Sequence, residues 1–159
     1  MKILLLEDLD TFYDAISDGL AVRRAEIGKV EIIRIASELE FRRALPQLVK
    51  ADFDVAIFDV MVGWCSIEDA VTDEGKNPPE EVSEELKLDT RWRSGVRCRR
   101  MFEEGRADAG TRPVPCLYYS VLDRDNLEDE LNGETELVVK QGDIDTLVRA
   151  LKQRVVIRK

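Results

Sequence analysis

Apolar positions along the chain fall into two alternating kinds of segment. Compact apolar runs at Lys2–Glu7 (KILLLE), Lys29–Ile35 (KVEIIRI), Phe53–Phe58, Pro115–Ser120 (PCLYYS) and Glu136–Lys140 (ELVVK) read as short strands. The segments between them repeat their apolar residues at helical spacing. Thr11–Arg24 carries Phe12, Ile16 and Leu20, and Asp143–Arg154 turns Ile144, Leu147, Val148 and Leu151 to one face. Ser37 followed by Glu40 forms a capping-box signature that opens a helix running to about Lys50. Arg93–Gly105 predicts a helix before the fourth strand, with Gly105 as its stop, and Asp123–Leu131 predicts a short helix after it.

Such β-α alternation predicts an α/β fold of three layers: a five-stranded parallel sheet with helices on both faces. Right-handed crossovers leave few topologies, and the doubly wound, flavodoxin-like order 2-1-3-4-5 is the natural one for five strands. No internal repeat is visible, so residues 1–159 are expected to form a single domain. One stretch breaks the pattern. From Gly63 to about Thr90 the chain is acidic, holds Pro78-Pro79, and offers only Glu80–Leu88 as a short helix starting after the prolines. We treat 63–92 as an insert bounded by Trp64 and Trp92. Asp59 and Ser120 lie 61 residues apart in the sequence, whereas a crossover needs only ~10–12. The insert is either an acidic, solvated excursion tied down by its tryptophans, or a lid or partner-docking arm near the strand-three edge.

Composition narrows the possible chemistry. With 24 basic and 33 acidic residues the net charge is −9. That balance argues against nucleic-acid and anionic-membrane surfaces, which bind through positive charge, and fits a basic partner or a bound cation. Three cysteines (Cys65, Cys98, Cys116) without a paired motif suggest reduced thiols, and the apolar run Ile3–Leu6 is too short for a signal segment or a span. A cytoplasmic protein is expected. There is no histidine, which removes Ser-His-Asp and Cys-His catalysis and every histidine-containing zinc site. What remains is carboxylates, Lys, Ser or a hard metal.

Ligands of open α/β sheets sit at the carboxyl ends of the strands, near the switch in strand order. Those ends carry Glu7-Asp8 on strand one, Asp59 on strand three, Ser120 on strand four and Lys140 on strand five. Taken singly, each has a bland reading as a strand-end turn, a helix cap or a solvated charge. Together they converge. Three carboxylates in one crevice repel, since two unit charges ~4 Å apart interact by about 4 kcal/mol at an effective dielectric of 20. A cation or protonation must offset that, and an all-oxygen site suits Mg²⁺.

The segments "LLLEDLD", "VAIFDVMV", "YYS" and "VVK" resemble the receiver domains of response regulators (CheY-like) over nearly the whole chain except the insert. The resemblance implies that Asp59 is a phosphoacceptor, and that Glu7, Asp8, Asp59 and the backbone carbonyl of Met61 hold Mg²⁺. It also implies that Ser120 is a switch hydroxyl and that Lys140 contacts the phosphoryl group. The implied function is phosphorelay signalling rather than enzyme activity. The protein would be a stand-alone receiver, with 19 residues after Lys140, phosphorylated by a histidine kinase or histidine phosphotransfer protein and signalling to a further protein. Departures from the family pattern are Val121 where a small residue is common, Leu137 where an aromatic switch residue is common, Gln141 in place of a proline, and Gly63 in place of another. Tyr118 and Tyr119 read as packing residues. The competing readings are a pseudo-receiver that binds partners without phosphorylation, and a Mg²⁺-dependent phosphohydrolase. The latter is disfavoured because "DVMV" lacks a second carboxylate two residues after Asp59.

Overall fold

The computed structural model describes residues 1–87, 93–122, 136–140 and 144–156. The expected helix at Asp123–Leu131, and also Trp92 and Gln141, lie outside the described residues. In chain order the elements are β1 (Lys2–Leu6), α1 (Asp10–Val22), α2 (Arg24–Ile27), β2 (Glu31–Ile35), α3 (Glu38–Leu48) and β3 (Val55–Phe58). A 3₁₀ turn at Asp69–Val71 follows, then α4 (Asp73–Lys76), α5 (Glu80–Lys87), α6 (Ser94–Asp108), β4 (Cys116–Ser120), β5 (Glu136–Val139) and α7 (Ile144–Val156). All four strand pairings are parallel and the sheet order is β2-β1-β3-β4-β5, the order the alternation predicts.

Side chains alternate across a strand, and the two faces of the sheet sort accordingly. Ile3, Leu5, Val55, Ile57, Leu117, Tyr119 and Val138 face α1 and α7, meeting Ile16, Leu20, Leu147, Val148 and Leu151. Leu4, Leu6, Ala56, Phe58, Cys116 and Tyr118 face α3 and α6, meeting Phe41, Leu48, Cys98 and Phe102. Phe58 lies at the centre of that face, its ring 6.1 Å from Phe41 and 6.2 Å from Phe102 in inclined aromatic contacts. β1, β3 and β4 are buried on both sides and take the three interior positions, with β3 at the centre beside β1.

Local chemistry sets several boundaries. The Ser37 hydroxyl accepts the Glu40 N–H at 3.1 Å, as an N-cap should. The Glu40 carboxylate returns to the Ala36 N–H at 2.7 Å, one residue earlier than in the usual box. The first predicted helix stops at Val22, and the chain turns at Arg23 into the short α2. Gly105 does not end its helix. α6 continues to Asp108, and Gly110, at φ 63°, follows it. Gly105 instead faces α3, where a Cβ would lie 2.8 Å from Cγ1 of Val49, so its smallness lets the two helices approach.

Glu38 and Arg97 join α3 to α6 below the β3 exit. Arg97 Nη2 lies 2.6 Å from Glu38 Oε2, and the Arg42 and Ser94 side chains complete the group. Burial pushes the Glu38 carboxyl up, but hydrogen bonds from Arg97, Arg42 and Ser94 outweigh it and hold it below the ordinary value.

The insert folds onto α3. Trp64 is buried and packs with Leu39 of α3 and Val82 of α5, and its indole N–H donates to the Gly75 carbonyl at 3.1 Å. Arg43 of α3 pairs with Asp69 and Glu74, and Arg42 pairs with Glu81. Trp64 thus ties the start of the excursion to α3. Cys65 packs against the same small apolar cluster, which the excursion shares with α3. Among the described residues, no helix is long and apolar enough to cross a membrane.

Candidate functional site

Strand register brings the acidic residues together. Leu6 of β1 pairs with Phe58 of β3, so Glu7 and Asp59, each one residue further on, leave the sheet side by side. The Asp59 N–H still donates to Leu6, at 2.9 Å, and the Glu7 N–H to Ile35, at 3.0 Å. Glu7, Asp8 and Asp59 each offer a carboxylate oxygen, and these oxygens lie within 4.8 Å of one another. On the other side, Ser120 pairs with Val139 at the ends of β4 and β5, which places Lys140 just past the edge.

Lys140 closes the group. Its ammonium lies 2.5 Å from Glu7 Oε2 and 2.9 Å from Asp59 Oδ2, with almost no solvent exposure. The rings of Phe12, at 4.4 Å, and Tyr119, at 5.5 Å, add cation–π contacts to a charge that has left water. If every group ionises, three carboxylates face one ammonium and two negative charges remain. Burial pushes the Glu7 carboxyl above its ordinary value despite Lys140, with Asp59 adding to the rise. Burial likewise raises Asp8, against the hydrogen bond from Gly63.

Ser120 is fully buried. Its carbonyl accepts the Lys140 N–H at 2.7 Å, and its hydroxyl accepts the Leu122 N–H at 3.4 Å. The structure therefore brings Glu7, Asp8, Asp59 and Lys140 into one cluster and links Ser120 to it through the Lys140 backbone. Met61 lies at the bend after β3, and its N–H points to Asp59 Oδ1 at 3.4 Å. Val121 is 51% exposed. Leu137 is half-buried against the α3/α6 core, and Tyr118 and Tyr119 are both buried in the core.

Four contributors escaped sequence reasoning. Arg34 of β2 donates to the backbone carbonyls of Glu7, at 3.0 Å, and Asp8, at 3.1 Å, and so fixes the acidic turn. The signal was a charged residue in an otherwise apolar strand end. The Gly63 N–H donates to Asp8 Oδ2 at 3.1 Å. Phe12 flanks Lys140, although its place in the helical pattern marked it only as core. Gly95, in the first turn of α6, lies against the acceptor strand: a Cβ there would meet the Asp59 carbonyl oxygen at 1.8 Å. Its own N–H donates to Val60 at 3.1 Å, so α6 rests directly on the backbone that carries Asp59.

Burial pushes the Cys116 thiol up to about 12 and Cys98 well above the ordinary value, so neither is a nucleophile at neutral pH. Cys65 is also raised by burial, with Asp69 adding to the effect.

No protein-family model matches the chain, and no curated protein matches it by sequence. Solved structures do match by shape. A response regulator receiver protein from Sinorhizobium medicae WSM419 superposes with a TM-score of 0.61 at 16% identity, over 100% of this chain and 97% of that one. A CheY-like receiver domain from Methylobacillus flagellatus gives 0.58 at 15%, over 97% and 98%. The BeF3-activated DrrB receiver domain gives 0.57 at 15%, over 98% and 97%. At such identities what is shared is the fold. The chain has the fold of response-regulator receiver domains.

Proposed function

We propose that this protein is a phosphoacceptor of a phosphorelay, taking a phosphoryl group on Asp59 from a partner histidine kinase or histidine phosphotransfer protein. The observation that carries this reading is the Lys140 ammonium 2.9 Å from Asp59, beside two further carboxylates at the carboxyl edge of β1 and β3. The 159 residues contain no histidine, so a phosphohistidine donor must lie outside them. An Asp59 oxygen attacks the phosphorus of phosphohistidine; the O–P bond forms as the P–N bond breaks, and the released imidazole takes a proton. A carboxylate is a modest nucleophile, so positioning and charge neutralisation carry such a transfer. Lys140 supplies a fixed positive charge at the attacking carboxylate. The product carries roughly −1.5 to −2 charges on its phosphoryl group, in place of the single charge of the carboxylate. In this reading the Ser120 hydroxyl, at the end of β4 and hydrogen-bonded to the Leu122 N–H, would answer that charge. The protein would act through binding a downstream protein rather than by turning over a separate substrate.

The residues fit Mg²⁺. The donors are hard oxygens, and three carboxylates converge within 4.8 Å, more than the one ammonium of Lys140 can neutralise when all of them ionise. Glu7, Asp8, Asp59 and the Met61 carbonyl would hold it, and when bound it supplies positive charge to the phosphoryl oxygens. A second reading, a pseudo-receiver that binds partners without phosphorylation, draws support from Lys140 itself. The ammonium already bridges Glu7 and Asp59 and neutralises part of the cluster.

Incubation with Mg²⁺ and a small acyl phosphate, followed by intact mass, separates the two. One phosphoryl adduct is expected, absent in Asp59→Ala and absent when a chelator replaces Mg²⁺. An adduct that persists in Asp59→Ala contradicts the assignment. No adduct, even with a phosphorylated histidine phosphotransfer protein as donor, favours the pseudo-receiver.

A further inference from the structure

Among the described residues, the insert meets the acidic cluster through the Gly63 N–H, which donates to Asp8 Oδ2 at 3.1 Å. Gly63 is not a free loop residue. Its carbonyl accepts the Glu38 N–H at 3.1 Å and the next carbonyl, that of Trp64, accepts the Leu39 N–H at 2.8 Å. These are two of the donors that the first turn of α3 leaves without helical partners. Trp64 then packs between Leu39 and Val82, with its indole N–H on the Gly75 carbonyl. Beyond it, Arg43 holds Asp69 and Glu74, and Arg42 holds Glu81. Exposed ion pairs of this kind contribute little singly. Trp64 is therefore the main anchor, and it adjoins the residue that holds Asp8.

We propose that the folded insert is a positioning element of the acidic cluster: its docking on α3 through Trp64 fixes Gly63, Gly63 fixes Asp8, and cation binding at the cluster is coupled to that docking. The proposal rests on the cation-dependent phosphoacceptor reading above. A carboxylate oxygen can accept an N–H while its partner oxygen faces a cation, so the Gly63 bond aims Asp8 without consuming it. Groups that orient a metal-binding carboxylate typically change affinity by about 10–100-fold when removed. Coupling is reciprocal, so a cation at Asp8 must steady the docked insert by the same factor that docking improves cation affinity. Trp64 is a positioning residue here and touches neither phosphate nor cation.

Two measurements test this. Mg²⁺ titration by calorimetry compares the wild type with Trp64→Ala, Trp64→Phe, Gly63→Pro and Val148→Ala. Val148→Ala truncates the core on the opposite face of the sheet and controls for general destabilisation. Gly63→Pro removes the donor N–H while keeping Trp64. Affinity is expected to fall about ten-fold in Trp64→Ala and in Gly63→Pro, less in Trp64→Phe, and not at all in Val148→Ala. Hydrogen exchange of the amides from 66 to 87, with and without Mg²⁺, reads the reverse direction. Mg²⁺ should slow their exchange in the wild type but not in Asp8→Asn. Wild-type affinity in both Trp64→Ala and Gly63→Pro, or insert exchange indifferent to Mg²⁺ in a wild type that binds it, overturns the coupling and leaves the cation site standing. A wild type that binds no Mg²⁺ overturns the parent reading and the coupling with it.

Discussion

Glu7 and Asp8 are carboxylates held where burial disfavours their charge. A carboxyl whose folded value lies above its unfolded value binds more protons in the folded state, so cation-free stability falls as pH rises from the ordinary values, 4.5 for Glu7 and 3.8 for Asp8, through the raised ones. Asp8→Asn removes one of these charges, and its amide oxygen still accepts from Gly63. We expect the variant to be more stable than the wild type by about 1 kcal/mol at neutral pH without cation, with Mg²⁺ affinity lost. Thermal melts at neutral pH check it, and a lower midpoint in Asp8→Asn would show that the cluster is not a repulsive one. Asp59, Glu7, Asp8 and Lys140 were legible in the sequence because each lies one or two residues past the end of a strand, and strand ends are set by apolar runs. Arg34 and Phe12 were not, because their roles depend on which neighbour a register or a helix rotation places beside them.

At the scale of elements, glycine decides how closely α6 approaches. A Cβ on Gly95 would meet backbone, the Asp59 carbonyl oxygen, at 1.8 Å, whereas one on Gly105 would meet only a side-chain methyl of Val49 at 2.8 Å. Backbone in the central sheet cannot yield, but a valine rotamer can. Gly95→Ala is therefore expected to cost about 3 kcal/mol and to disturb Asp59, while Gly105→Ala costs about 1 kcal/mol. Urea midpoints rank the two, and equal losses would contradict the close approach. Helix positions were readable from apolar spacing and from the Ser37 cap, since both are local. The identification of Gly105 as a helix stop failed because a glycine at a helix–helix contact and one at a helix end look alike in sequence. The Glu38–Arg97 pair was invisible for a related reason: its members are 59 residues apart and each reads as a surface charge until α3 meets α6.

For the molecule as a whole, alternation of strand and helix predicted the sheet order found. It did so because parallel crossovers and handedness leave little choice once five apolar runs are counted. The insert was legible as an acidic excursion anchored by Trp64, but its docking on α3 was not. That docking depends on Leu39, Val82 and the paired Arg42 and Arg43, which no local pattern links to residues 63–87. The central proposal concerns the molecule's chemistry: that Asp59, in this fold and beside Lys140, accepts a tetrahedral phosphoryl group in the presence of Mg²⁺. Beryllofluoride mimics that group on a carboxylate and needs no cognate donor, so fluorine-19 NMR with beryllofluoride and Mg²⁺ tests it most directly. New resonances from protein-bound fluoride are predicted for the wild type and their absence for Asp59→Asn; no bound resonance in a folded, Mg²⁺-loaded wild type would contradict the claim.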